Sequence, residues 1–123
     1  ADCRADGVIM SSQVGSTGYT FSAGGPILDP ELDAFVLTPV CPITFMRPIV
    51  FSAHSQVTVE LLNPKAARVV IDGDYQKLMG EKAHSILVKK SEYKSSFIRF
   101  ESHFYQRLKA RLLFSKEEGY DNE

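Results

Sequence analysis

Hydrophobic and polar residues alternate along much of the chain in a pattern typical of short β-strands. The alternation is clearest at residues 56–61 and 84–90, where it predicts strands with one face in solvent. Compact apolar or β-branched runs predict further strands at residues 8–10, 34–37, 49–51 and 68–71, and Ser96, Ile98 and Phe100 share one face of another. Short strands at this spacing, with turns such as Asp72-Gly73-Asp74 between them, predict an all-β sandwich or barrel-like sheet.

The end of the chain follows a helical pattern instead. Ser102 is a suitable N-cap for a helix over about residues 103–114. Phe104, Leu108 and Leu112 are spaced four residues apart, so they form one apolar stripe on that helix. Residues 115–123 are rich in charge and are expected to be disordered. We therefore predict a mainly β domain over residues 1–114 with one C-terminal helix, followed by a charged tail.

Composition narrows the possible partners. The chain has 123 residues, of which 44% are apolar, and this suits one compact domain with its own core. Its net charge of −1 provides no basic surface for nucleic acid or an anionic membrane. The sequence has no membrane-span pattern and no signal peptide pattern, so a cytoplasmic location with reduced cysteines is expected. Because there is no initiating Met, we expect a domain cut from a longer protein.

The turn-rich residues 11–25 carry the most informative chemistry. Asp6 precedes a predicted strand, which leads into Gly-Ser-Thr-Gly-Tyr at residues 15–19. A carboxylate, accessible backbone amides, hydroxyls and an aromatic ring are the groups that bind a nucleoside. The glycines match neither a Walker loop nor the GxGxxG fingerprint. Such segments are more often plain turns, so the residues alone leave both interpretations open.

The order of the motifs resembles one known family. Asp-Gly at 6–7 is followed by Gly-Ser-Thr-Gly-Tyr at 15–19, Ser-Ala-Gly-Gly-Pro at 22–26, Leu-Thr-Pro-Val-Cys-Pro at 37–42 and Arg-Pro at 47–48. This order and spacing is similar to the C-terminal region of ATP- or polyphosphate-dependent NAD kinases. Val-Ile-Asp-Gly at 70–73 and the residues from 91 to about 114 resemble later parts of the same region. The resemblance therefore covers the chain up to about Phe114.

The resemblance implies a two-part enzyme. NAD kinases phosphorylate the 2′-hydroxyl of the adenosine ribose of NAD to give NADP, and combine an N-terminal α/β half with an all-β C-terminal half. The N-terminal half carries a Gly-Gly-Asp-Gly motif and an Asn-Glu pair; here Asn-Glu occurs only as Asn122-Glu123. The general base is therefore expected outside this chain, which alone should be inactive. The resemblance also implies Mg or Mn with ATP or polyphosphate in the complete enzyme, none of it bound by this half, and a homodimer or homotetramer.

The resemblance further implies which residues bind NAD or NADP. Asp6 takes the position of a carboxylate near the nicotinamide ribose, and Tyr19 that of a ring that contacts the dinucleotide. Gly18 replaces the alanine that is usual in the family, and Val14 replaces a hydroxyl residue in many members. The segment after Leu-Thr-Pro forms a site wall, often from a neighbouring subunit. The full set of expected substrate-binding residues is Asp6, Thr17, Gly18, Tyr19, Ser22, Cys41, Ile43, Asp72 and Gly73.

Simpler roles and other functions stay open at this point. Asp6 could cap a turn, Tyr19 could be a packing residue, and Asp72-Gly73 is a good β-turn in any fold. The histidines at 54, 84 and 103 show no metal-ligand spacing. The alternative functions are a non-catalytic nucleotide-binding β module and the C-terminal domain of a related lipid kinase.

Overall fold

The computed structural model describes residues 1–62, 67–79, 84–100 and 103–113. The chain divides into two compact units, residues 1–92 and residues 93–123. The first contains strands β1 (Gly7–Ser12), β2 (Ala34–Val40), β3 (Ile49–Ser52), β4 (Val57–Glu60), β5 (Ala67–Ile71), β6 (Tyr75–Met79) and β7 (Ser85–Val88), a 3₁₀ turn (Gly15–Thr17) and helix α1 (Tyr19–Ser22). The second contains helix α2 (Phe104–Leu108) and a π-helical turn (Lys109–Leu113).

Strand β2 is the centre of an antiparallel three-stranded sheet. It pairs with β1 from Gly7↔Val40 to Ser12↔Phe35, and with β3 along its first four residues. Val36 is fully buried and Leu37 is 6% exposed, so this strand supplies much of the described core. On the other face from Val36, Phe35 stacks on Phe51 with ring centroids 5.5 Å apart. The position of β2 between two strands explains why its residues read as a buried run.

Two smaller antiparallel sheets follow in the first unit. In the sheet formed by β4 and β7, Val57 and Val59 are half-buried, whereas Thr58 and Glu60 are exposed. Ile86 and Val88 are likewise half-buried, which confirms the alternation predicted for both strands. Strands β5 and β6 form a hairpin. Strand β6 was not predicted, because its sequence Tyr-Gln-Lys-Leu-Met does not alternate and its pairing depends on the preceding turn.

That turn was predicted correctly from Asp72-Gly73-Asp74. Asp72 and Gly73 have φ angles of 50° and 78°, the left-handed conformation that type I′ hairpin turns require. The amide of Asp74 donates to the carbonyl of Ile71 at 3.1 Å and closes the turn. The other expected turn, Asn63-Pro64, lies outside the described residues.

In the C-terminal unit, the structure confirms the predicted helix but not the predicted strand. Helix α2 begins after His103, and Leu108 is 7% exposed. Ser102, the side chain of Leu112 and the tail at 115–123 lie outside the description. The strand predicted from Ser96, Ile98 and Phe100 is wrong. Residues 93–99 form no strand, and Phe100 is 95% exposed, because no described strand pairs with this segment.

The mainly β architecture with a C-terminal helix is thus confirmed. Both cysteines are free thiols, as expected. Across the described residues, no helix combines the length and apolar character needed to cross a membrane.

Candidate functional site

Four of the expected binding residues lie in one segment between β1 and β2. Thr17 ends the 3₁₀ turn, Gly18 follows it, and Tyr19 and Ser22 begin and end α1. The Tyr19 ring is 67% exposed, so its side chain is not a packing residue within the described part of the chain. Thr17 Oγ1 donates to the carbonyl of Val14 at a long 3.3 Å. Gly18, Tyr19 and Ser22 are exposed and Thr17 is half-buried, so the segment presents a ring, a glycine and a hydroxyl to solvent.

Two buried hydroxyl groups anchor this segment to the rest of the first unit. Ser16 is fully buried; its Oγ donates to the carbonyl of Gln13 at 2.6 Å and accepts from the amide of Leu28 at 3.0 Å. Thr20 is 1% exposed, and its Oγ1 donates to Ser11 Oγ at 2.8 Å. Ser11 belongs to β1, so Thr20 fixes α1 to the sheet. Sequence reasoning missed both anchors, although their spacing of four places them on one face of a helical segment.

Two glycines then turn the chain back over the sheet. Gly24 has a φ of 82°, which strongly favours glycine. A Cβ at Gly25 would lie 2.5 Å from Thr20 Cγ2 and 2.6 Å from Thr38 Oγ1, closer than packed atoms approach. The amide of Gly25 also donates to the carbonyl of Thr20 at 2.8 Å. The Gly-Gly pair is therefore required by the fold of the loop.

The loop between β1 and β2, residues 13–33, covers the sheet face that carries Ser11, Val36 and Thr38. These residues share a face because Ser11 pairs with Val36, and Thr38 lies two positions further along β2. Thr38 is fully buried, and its Oγ1 has no hydrogen-bond partner among the described residues. It faces the backbone of Gly25 instead.

A second group of expected residues gathers at the opposite end of β1. The amide of Asp6 donates to the carbonyl of Val40 at 3.0 Å, and the amide of Ile43 donates to the carbonyl of Arg4 at 2.8 Å. These bonds bring Asp6, Cys41 and Ile43 side by side, all exposed. Strand β1 has six residues, so its two ends are about 17 Å apart. Sequence reasoning did not foresee that this group and the Thr17–Ser22 group are anchored at opposite ends of one strand.

The third group, Asp72 and Gly73, forms the tip of the β5–β6 hairpin. Both residues are exposed, and the hairpin is a sheet of its own. The described hydrogen bonds give this tip a turn geometry and link it to neither of the other groups.

The described residues offer no metal site. Residues 1–62, 67–79, 84–100 and 103–113 contain no group of three His, Cys, Asp or Glu side chains that could hold a metal ion. His84 lies beside a single carboxylate: its Nε2 is 3.7 Å from an oxygen of Glu60, and both side chains are more than half exposed.

The family model and the relatives that match this chain all belong to the NAD kinases. Residues 1–100 match the model of the ATP-NAD kinase C-terminal domain. The NAD kinase of Methanothermobacter thermautotrophicus is 40% identical over 123 residues, 98% of this chain and 42% of that protein. A bifunctional NADP phosphatase/NAD kinase of Methanococcus maripaludis is 41% identical over 109 residues, 88% of this chain and 19% of that protein.

Two solved structures share the fold. An NAD kinase from Archaeoglobus fulgidus in complex with ATP matches with a TM-score of 0.65 and 39% identity, over 76% of this chain and 36% of that one. Yeast NADH kinase complexed with NADH matches with a TM-score of 0.62 over 98% of this chain and 38% of that one; at 22% identity it supports the fold alone. The chain thus spans less than half the length of these relatives.

Proposed function

Because the chain belongs to the family of ATP-NAD kinase C-terminal domains, we propose that it is the part of an NAD kinase that binds the dinucleotide and mediates assembly. The complete enzyme transfers a phosphoryl group to the 2′-hydroxyl of the adenosine ribose of NAD and produces NADP. The observation that carries this proposal is the Thr17–Gly18–Tyr19 stretch, half-buried at Thr17 and exposed at Gly18 and Tyr19, on its buried hydroxyl anchors and inside the region that matches the family.

Each residue of the exposed stretch has a role suited to its chemistry. The Tyr19 ring stacks on a ring of the dinucleotide, a contact that contributes about 0.5–1.5 kcal/mol beyond simple burial. Gly18 is exposed and has no side chain, so a ligand can approach its backbone closely, although its amide donates to the carbonyl of Gly15 at 3.1 Å. Thr17 Oγ1 is only loosely bonded, at 3.3 Å, so it exchanges that bond for a ligand hydroxyl at little cost. Ser22 adds a second exposed hydroxyl on the same segment.

The Asp6, Cys41 and Ile43 group is proposed to complete the site of a neighbouring copy in a homodimer or homotetramer. Its location at the far end of β1 from Thr17 supports a role in another site. Ile43 and Phe45 are 79% and 89% exposed, and such apolar side chains in one loop favour an interaction surface. For Asp72 and Gly73 the proposed position near the reacting ribose is supported only by the family resemblance.

The remainder of the enzyme is proposed to supply the chemistry. Phosphoryl transfer depends mainly on positioning and on charge stabilisation. As the family resemblance implies, we assign the general base, the Mg or Mn ion and the ATP or polyphosphate site to the other half. This half then contributes by fixing NAD so that the ribose faces those groups. A cytoplasmic location is part of the same proposal.

A chimera tests this function directly. In it, the chain replaces the matching 42% of the Methanothermobacter NAD kinase, and NADP formation is measured with NAD and either ATP or polyphosphate. We expect activity that the N-terminal part alone does not have, and a higher KM for NAD after Tyr19→Ala. Two matched controls are Tyr105→Ala, which removes another exposed tyrosine, and the unmodified relative.

The alternative functions give different outcomes in the same system. NAD binding without turnover in a folded chimera would favour a non-catalytic nucleotide-binding module. A rise in melting temperature with a lipid headgroup, and none with NAD, would favour the related lipid kinases. Either result would contradict the proposal.

A further inference from the structure

Thr17, which is half-buried, and the exposed Gly18 and Tyr19 lie between two buried hydroxyl residues. Ser16 directly precedes these three residues and is fully buried, and Thr20 directly follows them and is 1% exposed. In contrast, Tyr19 is 67% exposed. Residues 17–19, which we call the triplet, are thus held at both ends by side chains that a ligand in solvent does not reach.

The local secondary structure is too short to hold the triplet by itself. The 3₁₀ turn has three residues and α1 has four, and neither has a side-chain cap at its N-terminus. Helices of this length are unstable without tertiary contacts, because nucleation costs more than a few hydrogen bonds return. The conformation of the triplet must therefore depend on its anchors.

The anchors connect the triplet to two different parts of the fold. Ser16 Oγ joins Gln13 and Leu28, two distant positions of the connection between β1 and β2, through one donated and one accepted bond. Thr20 Oγ1 reaches Ser11 Oγ on β1. Ser16 Oγ makes two of these bonds and Thr20 Oγ1 makes one, so loss of either hydroxyl leaves a buried or half-buried partner without its bond.

We propose that Ser16 and Thr20 are positioning residues for the dinucleotide: their buried hydroxyls hold the triplet in its binding conformation before the ligand arrives. A segment that is already ordered binds more tightly than a loose one, because less conformational entropy is lost on binding. This inference rests on the proposed function for the identity of the ligand. The anchoring itself rests on the hydrogen bonds and burial alone.

The test compares variants that differ by one hydroxyl or one methyl. Thr20→Val removes the hydroxyl and keeps the shape, whereas Thr20→Ser keeps the hydroxyl. Ser16→Ala removes the other anchor. Thr38→Val is the matched control, because it makes the same chemical change at a buried hydroxyl that has no described partner.

Two measurements are made on each variant. In the chimera described above, KM for NAD and KM for ATP are determined separately. In the isolated chain of 123 residues, without ligand, amide hydrogen exchange is followed at Gly18 and Tyr19. We expect Thr20→Val and Ser16→Ala to raise KM for NAD roughly tenfold, to leave KM for ATP unchanged and to speed exchange at both amides. Thr20→Ser and Thr38→Val should stay within about twofold of the wild type.

The possible results separate this inference from the proposed function. A Thr20→Val chain that melts at a lower temperature, with unchanged KM for NAD and unchanged exchange at Gly18, would overturn the inference, since the hydroxyl would then serve stability alone. An inactive wild-type chimera would contradict the proposed function instead. In that case the exchange rates would still decide whether the two hydroxyls hold the triplet.

Discussion

Replacing Gly25 with alanine should destabilise the fold through a defined set of clashes. The added Cβ would lie 2.5 Å from Thr20 Cγ2, 2.6 Å from Thr38 Oγ1 and 2.8 Å from the carbonyl oxygen of Thr20. None of these atoms moves easily. The Thr20 side chain is β-branched and tied to Ser11 by its hydroxyl, Thr38 is within the central strand β2, and the third atom is backbone.

The expected magnitude is the difference between two opposing effects. Overfilling a packed site costs about 1–3 kcal/mol. Alanine also lowers the entropy of the unfolded chain, which offsets roughly 0.4–1 kcal/mol. We expect a net loss of about 1–2 kcal/mol, and for a chain of 123 residues this lowers Tm by about 3–8 °C.

The assay is thermal and urea unfolding followed by far-UV circular dichroism, because the chain has no tryptophan. Gly7→Ala is the matched control, since a Cβ there meets no atom within 4 Å. Adding Thr20→Ser to Gly25→Ala should recover part of the loss, because it removes the methyl at 2.5 Å and keeps the hydroxyl. Equal melting temperatures for Gly25→Ala and Gly7→Ala would refute the close packing of the loop on the sheet.

Three further predictions concern the same unit of the chain. Thr38→Val should leave the free energy of unfolding in urea unchanged or raise it by up to about 1 kcal/mol, because it removes a buried hydroxyl without a described partner. A loss above about 1 kcal/mol would reveal a hydrogen bond to that oxygen. Gly73→Ala should cost about 1 kcal/mol against Gly7→Ala, because Gly73 has a φ of 78°, and equal unfolding midpoints would contradict the turn geometry. Lys90 Nζ contacts both carboxylate oxygens of Asp33, at 2.7 and 2.6 Å, but both side chains are over one-third exposed. A double-mutant cycle of this ion pair should give a coupling energy below about 1 kcal/mol that falls with added salt. A larger coupling energy that does not depend on salt would be inconsistent with this exposure.

The sequence predicts best those elements whose residues carry their own periodic signal. Strands β4 and β7 alternate strictly, and the observed burial follows that alternation. Strand β6 lacks such a signal, since it is positioned by the turn at Asp72 and Gly73 and by pairing with β5. Conversely, Ser96, Ile98 and Phe100 alternate without forming a strand, because a strand also needs a partner for its backbone, which periodicity cannot provide.

Motif order located the triplet but not the arrangement of the other expected residues. Asp6 and Tyr19 are only thirteen positions apart in sequence, yet β1 lies between them and separates their anchors by about 17 Å. In contrast, Asp6 and Cys41 are distant in sequence and lie together just beyond one end of the sheet, because β1 and β2 pair antiparallel up to Gly7↔Val40. Proximity of this kind follows from strand register, which hydrophobic pattern alone did not specify.

The loop between β1 and β2 shows that one motif serves two physical purposes. Ser16 and Gly25 belong to the family motifs at 15–19 and 22–26 and Thr20 lies between those motifs, yet all three pack within the protein and determine the shape of the loop. Gly18 and Tyr19 lie outward and have little influence on packing. Substitutions at the inward set should therefore change stability and binding together, whereas substitutions at the outward set should change binding alone. Within a motif of this type, a residue's burial, and not its membership of the motif, decides which of the two effects its replacement produces.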